Sequence, residues 1–228
     1  MTTCCSGSGA AADRHFTDAI ASRDLLRYRE KGPGPTARLL LDGLRGEQPL
    51  GDALLDVGSG IGALTFELLE RGMKRAVLVD ASSAYLKAAT NEAIRRQRRD
   101  VVEFVHGDFL DVASGVRAAD TVTLDRVICC YPHFVPLLEQ ALRHAERFFA
   151  LSYPLARWYV RLGIAFENAL RRLRRDPFRA FVHPPAAMER IIESAGFELV
   201  TRKRTWMWAG DVYKRSQRTR NNAVTSPL

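Results

Sequence analysis

The sequence lacks any run of about eighteen apolar residues, so no helix long enough to span a bilayer is predicted. Residues 1–12 are small and polar and lack the apolar segment of a secretory signal, so we expect a disordered leader and a cytoplasmic protein. With 228 residues, of which 46% are hydrophobic, the chain is long enough to bury the core of one domain.

Cysteine is scarce and poorly placed for metal or disulfide chemistry. The four cysteines form two adjacent pairs, Cys4-Cys5 and Cys129-Cys130, and adjacency is poor geometry for a disulfide or a shared metal. Neither a C-x-x-C pair nor a histidine cluster is present. We therefore predict no metal held by protein ligands, with a redox or metal role for the pairs as the alternative.

The chain does contain a glycine-rich turn after a buried strand. Residues 54–62 read Leu-Leu-Asp-Val-Gly-Ser-Gly-Ile-Gly. Gly58, Gly60 and Gly62 can adopt positive φ and carry no Cβ, so a ligand can approach the backbone closely. A helix begins at Ala63, and its first N–H groups point at whatever occupies the turn. The pattern predicts a site for a nucleotide-type cofactor.

Two cofactor classes compete for this turn. Gly58-x-Gly60-x-x-Ala63 fits the dinucleotide fingerprint, with Asp80 about 20 residues further on to accept ribose hydroxyls. Three further features favour another nucleotide-type cofactor over a dinucleotide. They are Asp56 two residues before the first glycine, the close spacing of Gly60 and Gly62, and the later segment His106-Gly107-Asp108-Phe109.

With these features the sequence resembles the class I S-adenosylmethionine-dependent methyltransferases. In that family the glycine loop lies under the methionine and ribose of the cofactor, an acid ending the second strand holds the ribose, and a Gly-Asp after the third strand faces the adenine. The resemblance implies S-adenosylmethionine as the cofactor. Segments upstream of the loop commonly fold over the cofactor as a lid. The cofactor-binding residues implied are Asp56, Gly58, Ser59, Gly60, Gly62, Asp80, Ala81, Gly107, Asp108 and Phe109. Cys130 is added from its place at the end of the fourth strand, and Tyr28 from the lid, with a helix-surface aromatic as the alternative for Tyr28.

Apolar runs and helical stretches alternate along the chain, which is typical of a parallel sheet covered on both faces. Strands are predicted at 53–57, 75–80, 101–106, 121–130 and 147–153, with a closing pair at 197–205 and 206–214. The predicted fold class is α/β: a Rossmann-like seven-stranded, mostly parallel sheet with helices on both faces. The resemblance implies that the last strand is antiparallel, and a helical insert should follow the fifth strand.

The end of the fourth strand should present the chemistry, because ligands bind where the strand order of an open sheet reverses. Tyr131 and His133 follow that strand, and we predict them as the catalytic residues. His133 is the natural base for a phenol, alcohol or amine acceptor, whereas a carboxylate acceptor needs none. Packing for Tyr131 and helix capping for His133 are the alternatives. The Asn/Asp-Pro-Pro-Tyr/Phe motif of the adenine and cytosine amino-methyltransferases is missing here.

Positive charge is concentrated in the C-terminal third. Residues 151–228 hold 15 Lys/Arg and 6 Asp/Glu, whereas residues 1–150 hold 19 and 20. Arginines and apolar residues interleave in an insert at about 155–185, and residues 156–175 predict an amphipathic helix. Three interpretations stay open for this insert: a cap over an apolar, acidic acceptor, a surface that attracts anionic membrane or RNA, and a purely structural element.

The insert narrows the resemblance to the magnesium-protoporphyrin O-methyltransferases and their bacterial relatives. The similar segments are Cys129-Cys130-Tyr131-Pro132, Ser152-Tyr153-Pro154 and Phe178-Arg179-x-Phe181-Val182-His183-Pro184. Those enzymes methylate a propionate of a large, flat, anionic macrocycle. In this chain the histidine follows Tyr-Pro instead of preceding it, which departs from the chlorophyll-pathway pattern. Arg179 and His183 either line the acceptor pocket or belong to the packing of the segment.

These observations predict four regions: a disordered leader at 1–15, a helical lid segment at 16–50, a methyltransferase domain at 51–215, and a flexible tail at 216–228. The predicted function is S-adenosylmethionine-dependent methylation, at oxygen, of a small or medium-sized, partly apolar and anionic acceptor, with a tetrapyrrole as one candidate. An RNA methyltransferase using the basic C-terminal third, a non-catalytic cofactor-binding protein and a dinucleotide-dependent oxidoreductase are the alternatives. No oligomeric state is indicated.

Overall fold

The computed structural model describes residues 6–216, so Cys4, Cys5 and nearly all of the expected tail lie outside the described residues. Helices and strands alternate over this range. The helices are α1 (Ser6–His15), α2 (Asp18–Lys31), α3 (Pro35–Leu44), α4 (Ala63–Glu70), α5 (Ser83–Arg95), α6 (Phe109–Val112), α7 (Phe134–His144), α8 (Trp158–Leu173) and α9 (Pro185–Ser194). The strands are β1 (Ala53–Val57), β2 (Arg75–Asp80), β3 (Val102–His106), β4 (Ala119–Leu124), β5 (Ala145–Pro154), β6 (Phe197–Arg204) and β7 (Trp208–Arg215).

The strands form one seven-stranded sheet in the order β3-β2-β1-β4-β5-β7-β6. β1 to β5 pair in parallel, and β7 runs antiparallel to both of its neighbours, β5 and β6. The predicted sheet with its antiparallel last strand is confirmed. Strand order reverses between β1 and β4, so the carboxyl ends of these two strands are where a ligand is expected.

Two apolar cores, one on each face, hold the sheet. β1 is buried along its whole length, as a central strand covered on both sides should be. Leu55 and Val57 point into the core that α7 and α9 complete, whereas Leu54 points into the core formed with α2, α3, α4 and α5. The prediction of helices on both faces is therefore confirmed.

The fourth strand is shorter than the predicted 121–130. β4 ends at Leu124 because Arg126 has a φ of 63°, in the left-handed region that an extended strand does not accommodate. The Arg126 N–H donates to Oγ of Ser152 at 2.8 Å, and the Ser152 hydroxyl donates to Asp125 at 2.6 Å. The rest of the predicted strand therefore becomes a loop with a short 3-10 turn at Ile128–Cys130.

The N-terminal region also differs from the sequence expectation of a disordered leader at 1–15, because α1 occupies Ser6–His15. Asp13 accepts hydrogen bonds from the backbone N–H and the hydroxyl of Ser83, at 2.8 and 3.0 Å. His15 Nδ1 lies 2.6 Å from a carboxylate oxygen of Asp176 in the insert. These contacts with residues far along the chain hold α1 across the carboxyl ends of the strands.

The insert after β5 forms α8, close to the predicted amphipathic helix at 156–175. Val160 is its buried residue, and the Asn168 side chain fixes the helix to the segment that follows it. The Asn168 amide donates to the Ala180 carbonyl at 2.7 Å and accepts from the Ala180 N–H at 3.0 Å. Over residues 6–216, no helix combines the length and apolar character needed to cross a membrane.

Candidate active site

The turn after β1 has the conformation that its glycines predict. Gly58, Gly60 and Gly62 have φ values of 64°, 55° and 77°. The Gly58 N–H donates to the Val79 carbonyl at 2.7 Å, which fastens the turn to β2. A Cβ on Gly62 would lie 2.9 Å from the Phe66 ring, whereas a Cβ on Gly60 would meet nothing within 4 Å. The turn is thus packed at Gly62 and open at Gly60, where a ligand can approach the backbone.

Asp80 ends β2 beside this open glycine. Its Oδ2 accepts the Gly60 N–H at 2.7 Å, and its Oδ1 accepts the Ser82 N–H at 2.7 Å. Burial raises the pKa of Asp80 to about 6, although both hydrogen bonds favour the ionised form. Each carboxylate oxygen has a second lone pair. Asp80 can therefore accept hydrogen bonds from ligand hydroxyls while it holds the turn.

Asp56 lies beneath the turn, and both of its oxygens are engaged by protein groups. Oδ2 accepts the hydroxyl of Thr65 on α4 and Oδ1 accepts that of Thr123 on β4, each at 2.7 Å. Burial raises the pKa of Asp56 to about 7. Because its partners come from β4 and α4, the Asp56 carboxyl fastens the end of β1 to both neighbours. The sequence analysis missed these threonines, whose only signal is a hydroxyl at an otherwise apolar position.

Asp108 precedes α6 and brings an unused acceptor to the site. Its Oδ1 accepts the Leu110 N–H at 3.1 Å and the Tyr131 hydroxyl at 2.7 Å. Its Oδ2 is buried beside the Gly9 backbone of α1, which counteracts part of the rise in the Asp108 pKa, and it completes no hydrogen bond among residues 6–216. Oγ of Ser59 in the glycine turn likewise has no partner there. Burial raises the pKa of the Asp108 carboxyl. Since buried polar atoms normally have a partner, these two atoms fit a ligand that carries hydrogen-bonding groups.

A cavity of about 200 Å³ opens beside Asp108. It is smaller than the roughly 300–1,000 Å³ of typical ligand pockets, and α1 lies across it. The contact is close, because a Cβ on Gly9 would lie 3.0 Å from Cβ of Asp108. The residues that line the cavity are Gly9, Ala10, Asp13, Ala81, His106, Gly107, Asp108 and Asp111. Ala81, Gly107 and Asp108 are thus brought together as the sequence analysis expected.

The two residues predicted for catalysis lie on the loop after β4. Burial, together with the nearby Asp108 carboxylate, raises the pKa of Tyr131, so its hydroxyl acts as a hydrogen-bond donor and not as a base. His133 is exposed and directly precedes α7, and its side chain makes no capping hydrogen bond. The Cys130 thiol donates to the Arg126 carbonyl at 3.4 Å, so it is engaged within the loop.

Two residues predicted to bind cofactor have packing roles in the structure. Tyr28 is buried, donates to Glu67 on α4 at 3.1 Å, and lies under the Arg96 guanidinium, 5.0 Å from the ring centroid. Arg96 follows the end of α5 and also lies 5.3 Å from the ring centroid of Phe66, so Tyr28 packs between α4 and α5. The Phe109 ring is buried in the core, 5.5 Å from the His144 ring.

His183 contacts the backbone of the loop after β4. Its Nε2 lies 2.9 Å from the Tyr131 carbonyl, and burial lowers the pKa of His183, which favours the neutral imidazole. Its ring centroid lies 4.6 Å from that of Phe134. Arg179 donates to the carbonyls of Asp176 and Phe178, at 2.5 and 2.7 Å, and so stabilises its own segment. For both residues the contacts are those of packing.

Part of the chain is similar in sequence to known methyltransferases. A sequence model described as a methyltransferase domain matches residues 50–154. Ribosomal protein L11 methyltransferase of Desulforamulus reducens is 27% identical over 117 residues, which is 51% of this chain and 37% of that protein. Erythromycin 3''-O-methyltransferase of Saccharopolyspora erythraea is 38% identical over 74 residues, which is 32% of this chain and 24% of that protein. The chain therefore spans well under half the length of these curated relatives.

The fold likeness extends beyond the matched segment. Magnesium protoporphyrin IX methyltransferase from Synechocystis PCC 6803, with bound S-adenosylhomocysteine, superposes with a TM-score of 0.69 at 21% identity. The match covers 92% of this chain and 100% of that chain. At this identity the likeness concerns the fold. Residues 50–154 thus match a model of a methyltransferase domain, and the chain has the fold of this magnesium protoporphyrin IX methyltransferase.

Proposed function

We propose that this chain is an S-adenosylmethionine-dependent methyltransferase. The observation that carries the proposal is the open turn at Gly60 beside Asp80, together with two buried polar atoms without a partner among residues 6–216, Ser59 Oγ in that turn and Asp108 Oδ2 after β3. A nucleoside cofactor has hydroxyl and amino groups that would satisfy such atoms. When bound, S-adenosylmethionine supplies a methyl group that is already activated on its sulfonium.

The contacts of the site suggest a separate task for each carboxylate. Asp80 accepts the ribose hydroxyls, because it lies next to the open glycine and keeps free lone pairs. Asp108 Oδ2 accepts from the adenine amino group. Asp56 acts as a positioning residue, since Thr65 and Thr123 occupy both of its oxygens. The protein then has mainly to align the acceptor and exclude water.

The acceptor in this proposal is small or medium-sized, partly apolar and anionic, and is methylated at oxygen. Arg126 is exposed on the loop after β4, and its guanidinium lies 5.2 Å from the ring centroid of Trp208. An arginine beside an aromatic ring offers both a bidentate partner for a carboxylate and an apolar surface. A carboxylate acceptor needs no base, whereas for a phenol or an alcohol His133 is the candidate base.

A paired substitution tests the cofactor site. Asp108→Asn changes the unpartnered acceptor, whereas Asp111→Asn changes an exposed carboxylate at the rim of the same cavity. We expect Asp108→Asn to weaken S-adenosylhomocysteine binding about tenfold in calorimetric titration, because one hydrogen bond to a charged group is lost. Asp111→Asn should bind as the unchanged protein does. Equal effects of the two substitutions would remove the adenine assignment.

Transfer of a labelled methyl group tests the activity. The protein is incubated with labelled S-adenosylmethionine and a metabolite extract, with magnesium protoporphyrin assayed alongside because the structural neighbour is named for it. An alkali-labile methyl ester on a small acid is the expected product. Label in RNA would favour an RNA methyltransferase, and binding without any transfer would favour a non-catalytic protein. Binding of NADH but not S-adenosylhomocysteine would overturn the proposal.

A further inference from the structure

The helix α8 carries a stripe of large apolar side chains on its solvent side. Trp158, Leu162, Phe166 and Leu173 are 76%, 63%, 71% and 81% exposed. The first three are spaced four residues apart, so they lie above one another on one face of the helix. In a helix that only covers a core, this outward face is polar. The stripe therefore needs a separate explanation.

The stripe faces away from the rest of the protein. Val160 is 1% exposed and packs in the core with Ile164, which places the inner side of the helix at those two residues. At 100° per residue, Leu162 and Phe166 fall on the opposite side. The apolar face is thus neither part of the core nor folded back onto the sheet.

A tryptophan from the β6–β7 connection extends this surface. Trp206 is 71% exposed. Its ring stacks on Tyr159 with the centroids 6.2 Å apart and the planes 13° from parallel, and the Tyr159 hydroxyl donates to the Trp206 carbonyl at 2.6 Å. The connection is thus held against α8, and Trp158 and Trp206 both lie exposed near the start of the helix.

Basic side chains lie along one side of the stripe and at both of its ends. Residues 157–175 contain six arginines and one acidic residue, Glu167. Glu167 is paired with Arg171 at 3.0 Å. The exposed arginines of this segment are Arg157, Arg161, Arg172, Arg174 and Arg175. Exposed tryptophan, leucine and phenylalanine beside arginine are the composition of a helix that lies in the interface of an anionic bilayer.

We propose that α8 and Trp206 form a surface that docks on anionic lipid membranes, with the apolar stripe in the headgroup region and the arginines on lipid phosphates. A second copy of the chain fits this surface less well than a membrane does. A stable dimer buries about 800 Å² and roughly 20–30 residues per partner, and pairing this face with itself would bring two arginine rows together. RNA would engage the arginines but leave Leu162, Phe166 and Leu173 in water. The inference is independent of the proposed methyl transfer.

Vesicle flotation of the full chain tests the proposal. Vesicles of phosphatidylcholine alone are compared with vesicles that also contain phosphatidylserine. We expect at least about tenfold tighter binding to the anionic vesicles, weakening as salt is raised. The double substitution Leu162→Glu/Phe166→Glu should reduce binding to anionic vesicles at least about tenfold. Two apolar side chains that would enter the membrane are lost, and two negative charges that repel the anionic lipids are added. Ile94→Glu is the matched control, because Ile94 is also an exposed apolar residue but lies on α5, and this variant should bind the vesicles normally.

Two control measurements and an arginine variant complete the test. Thermal unfolding and S-adenosylhomocysteine binding should be unchanged in the double variant, because the stripe is exposed and lies outside the cofactor site. Arg172→Gln/Arg174→Gln/Arg175→Gln should reduce the preference for anionic over neutral vesicles. Three results would each overturn the membrane proposal: equal binding of unchanged and double-variant protein to vesicles, a dimer in sedimentation velocity that the double variant dissociates, and salt-dependent RNA binding without vesicle binding.

Discussion

The Tyr131 hydroxyl donates a 2.7 Å hydrogen bond to Oδ1 of Asp108, which joins the loop after β4 to the loop after β3. Both residues are buried. The bond occupies one oxygen of the carboxylate and leaves Oδ2 without a protein partner in the described chain. Tyr131 therefore sets the orientation of the acceptor that we propose for the adenine, and in that proposal its hydroxyl serves cofactor binding and not the chemical step.

Tyr131→Phe is expected to weaken S-adenosylhomocysteine binding about 3- to 10-fold, because Asp108 loses the bond that orients it. The free energy of unfolding should fall by about 1.5–3 kcal/mol, the usual cost of removing a hydrogen bond to a charged group. Titration calorimetry and urea unfolding measure the two effects.

Tyr153→Phe is the matched control, since the Tyr153 hydroxyl donates to buried Asp211 at 2.8 Å, away from the cofactor site. We expect a comparable loss of stability and no change in cofactor affinity. A similar fall in affinity for both variants would mean that Tyr131 acts only through general stability.

Cofactor affinity should depend on pH through Asp80. Burial raises the pKa of Asp80 to about 6, and ligand hydroxyls favour the ionised carboxylate. Binding should therefore weaken as pH falls through this pKa, by about fivefold between pH 6 and pH 5 and by about tenfold per unit below that. Calorimetry in buffers of different ionisation enthalpy should also detect proton release. Asp80→Asn should bind more weakly and with a flatter pH profile, and an unchanged slope in that variant would assign the titration to another group.

Features of the fold that depend on local periodicity could be predicted from the sequence. The strands predicted at 53–57 and 75–80 have those bounds in the structure, because each is a short apolar run bounded by turn residues. The end of β4 could not be predicted in this way. Its position depends on Arg126 turning into the left-handed region and on Ser152, which lies 26 residues further along the chain.

The same distinction between local and long-range features applies to the candidate site. The glycines and the acids that end strands could be located, because a turn that requires positive φ and a charge after an apolar run are both local signals. The packing of Tyr28 depends on Glu67 and Arg96, and the covering of the cavity by α1 depends on Ser83 and Asp176. These contacts join distant segments, and no pattern within either segment records them.

The open side of the turn can be tested with two glycine-to-alanine substitutions. Gly60 and Gly72 both have positive φ, 55° and 105°, and a Cβ at either would meet nothing within 4 Å. Each substitution should cost about 1–2 kcal/mol of stability from backbone strain. Only Gly60→Ala places a methyl group where we expect the cofactor. We therefore expect S-adenosylhomocysteine affinity to fall at least about 30-fold for Gly60→Ala, through a clash of about 2 kcal/mol.

Gly72→Ala should retain the affinity of the unchanged protein, because Gly72 lies beyond the end of α4. Titration calorimetry on both variants, with thermal unfolding to confirm matched stability, provides the comparison. If Gly60→Ala binds the cofactor normally, the ligand does not lie against this face of the turn.

Asp56 should make the stability of the fold depend on pH. Its pKa is raised to about 7 by burial, whereas an unfolded chain has the ordinary value of 3.8. The folded state therefore holds a proton that the unfolded state releases between these values, so this contribution to stability is complete at low pH and is lost as pH rises through about 7.

In Asp56→Asn the titration is removed while a donor and an acceptor remain. Between pH 5 and pH 8 we expect Asp56→Asn to gain on the order of 2–3 kcal/mol in free energy of unfolding relative to the unchanged protein. Urea unfolding at both pH values measures this, and a difference between the two proteins that does not change with pH would show that burial does not hold the Asp56 carboxyl in its neutral form.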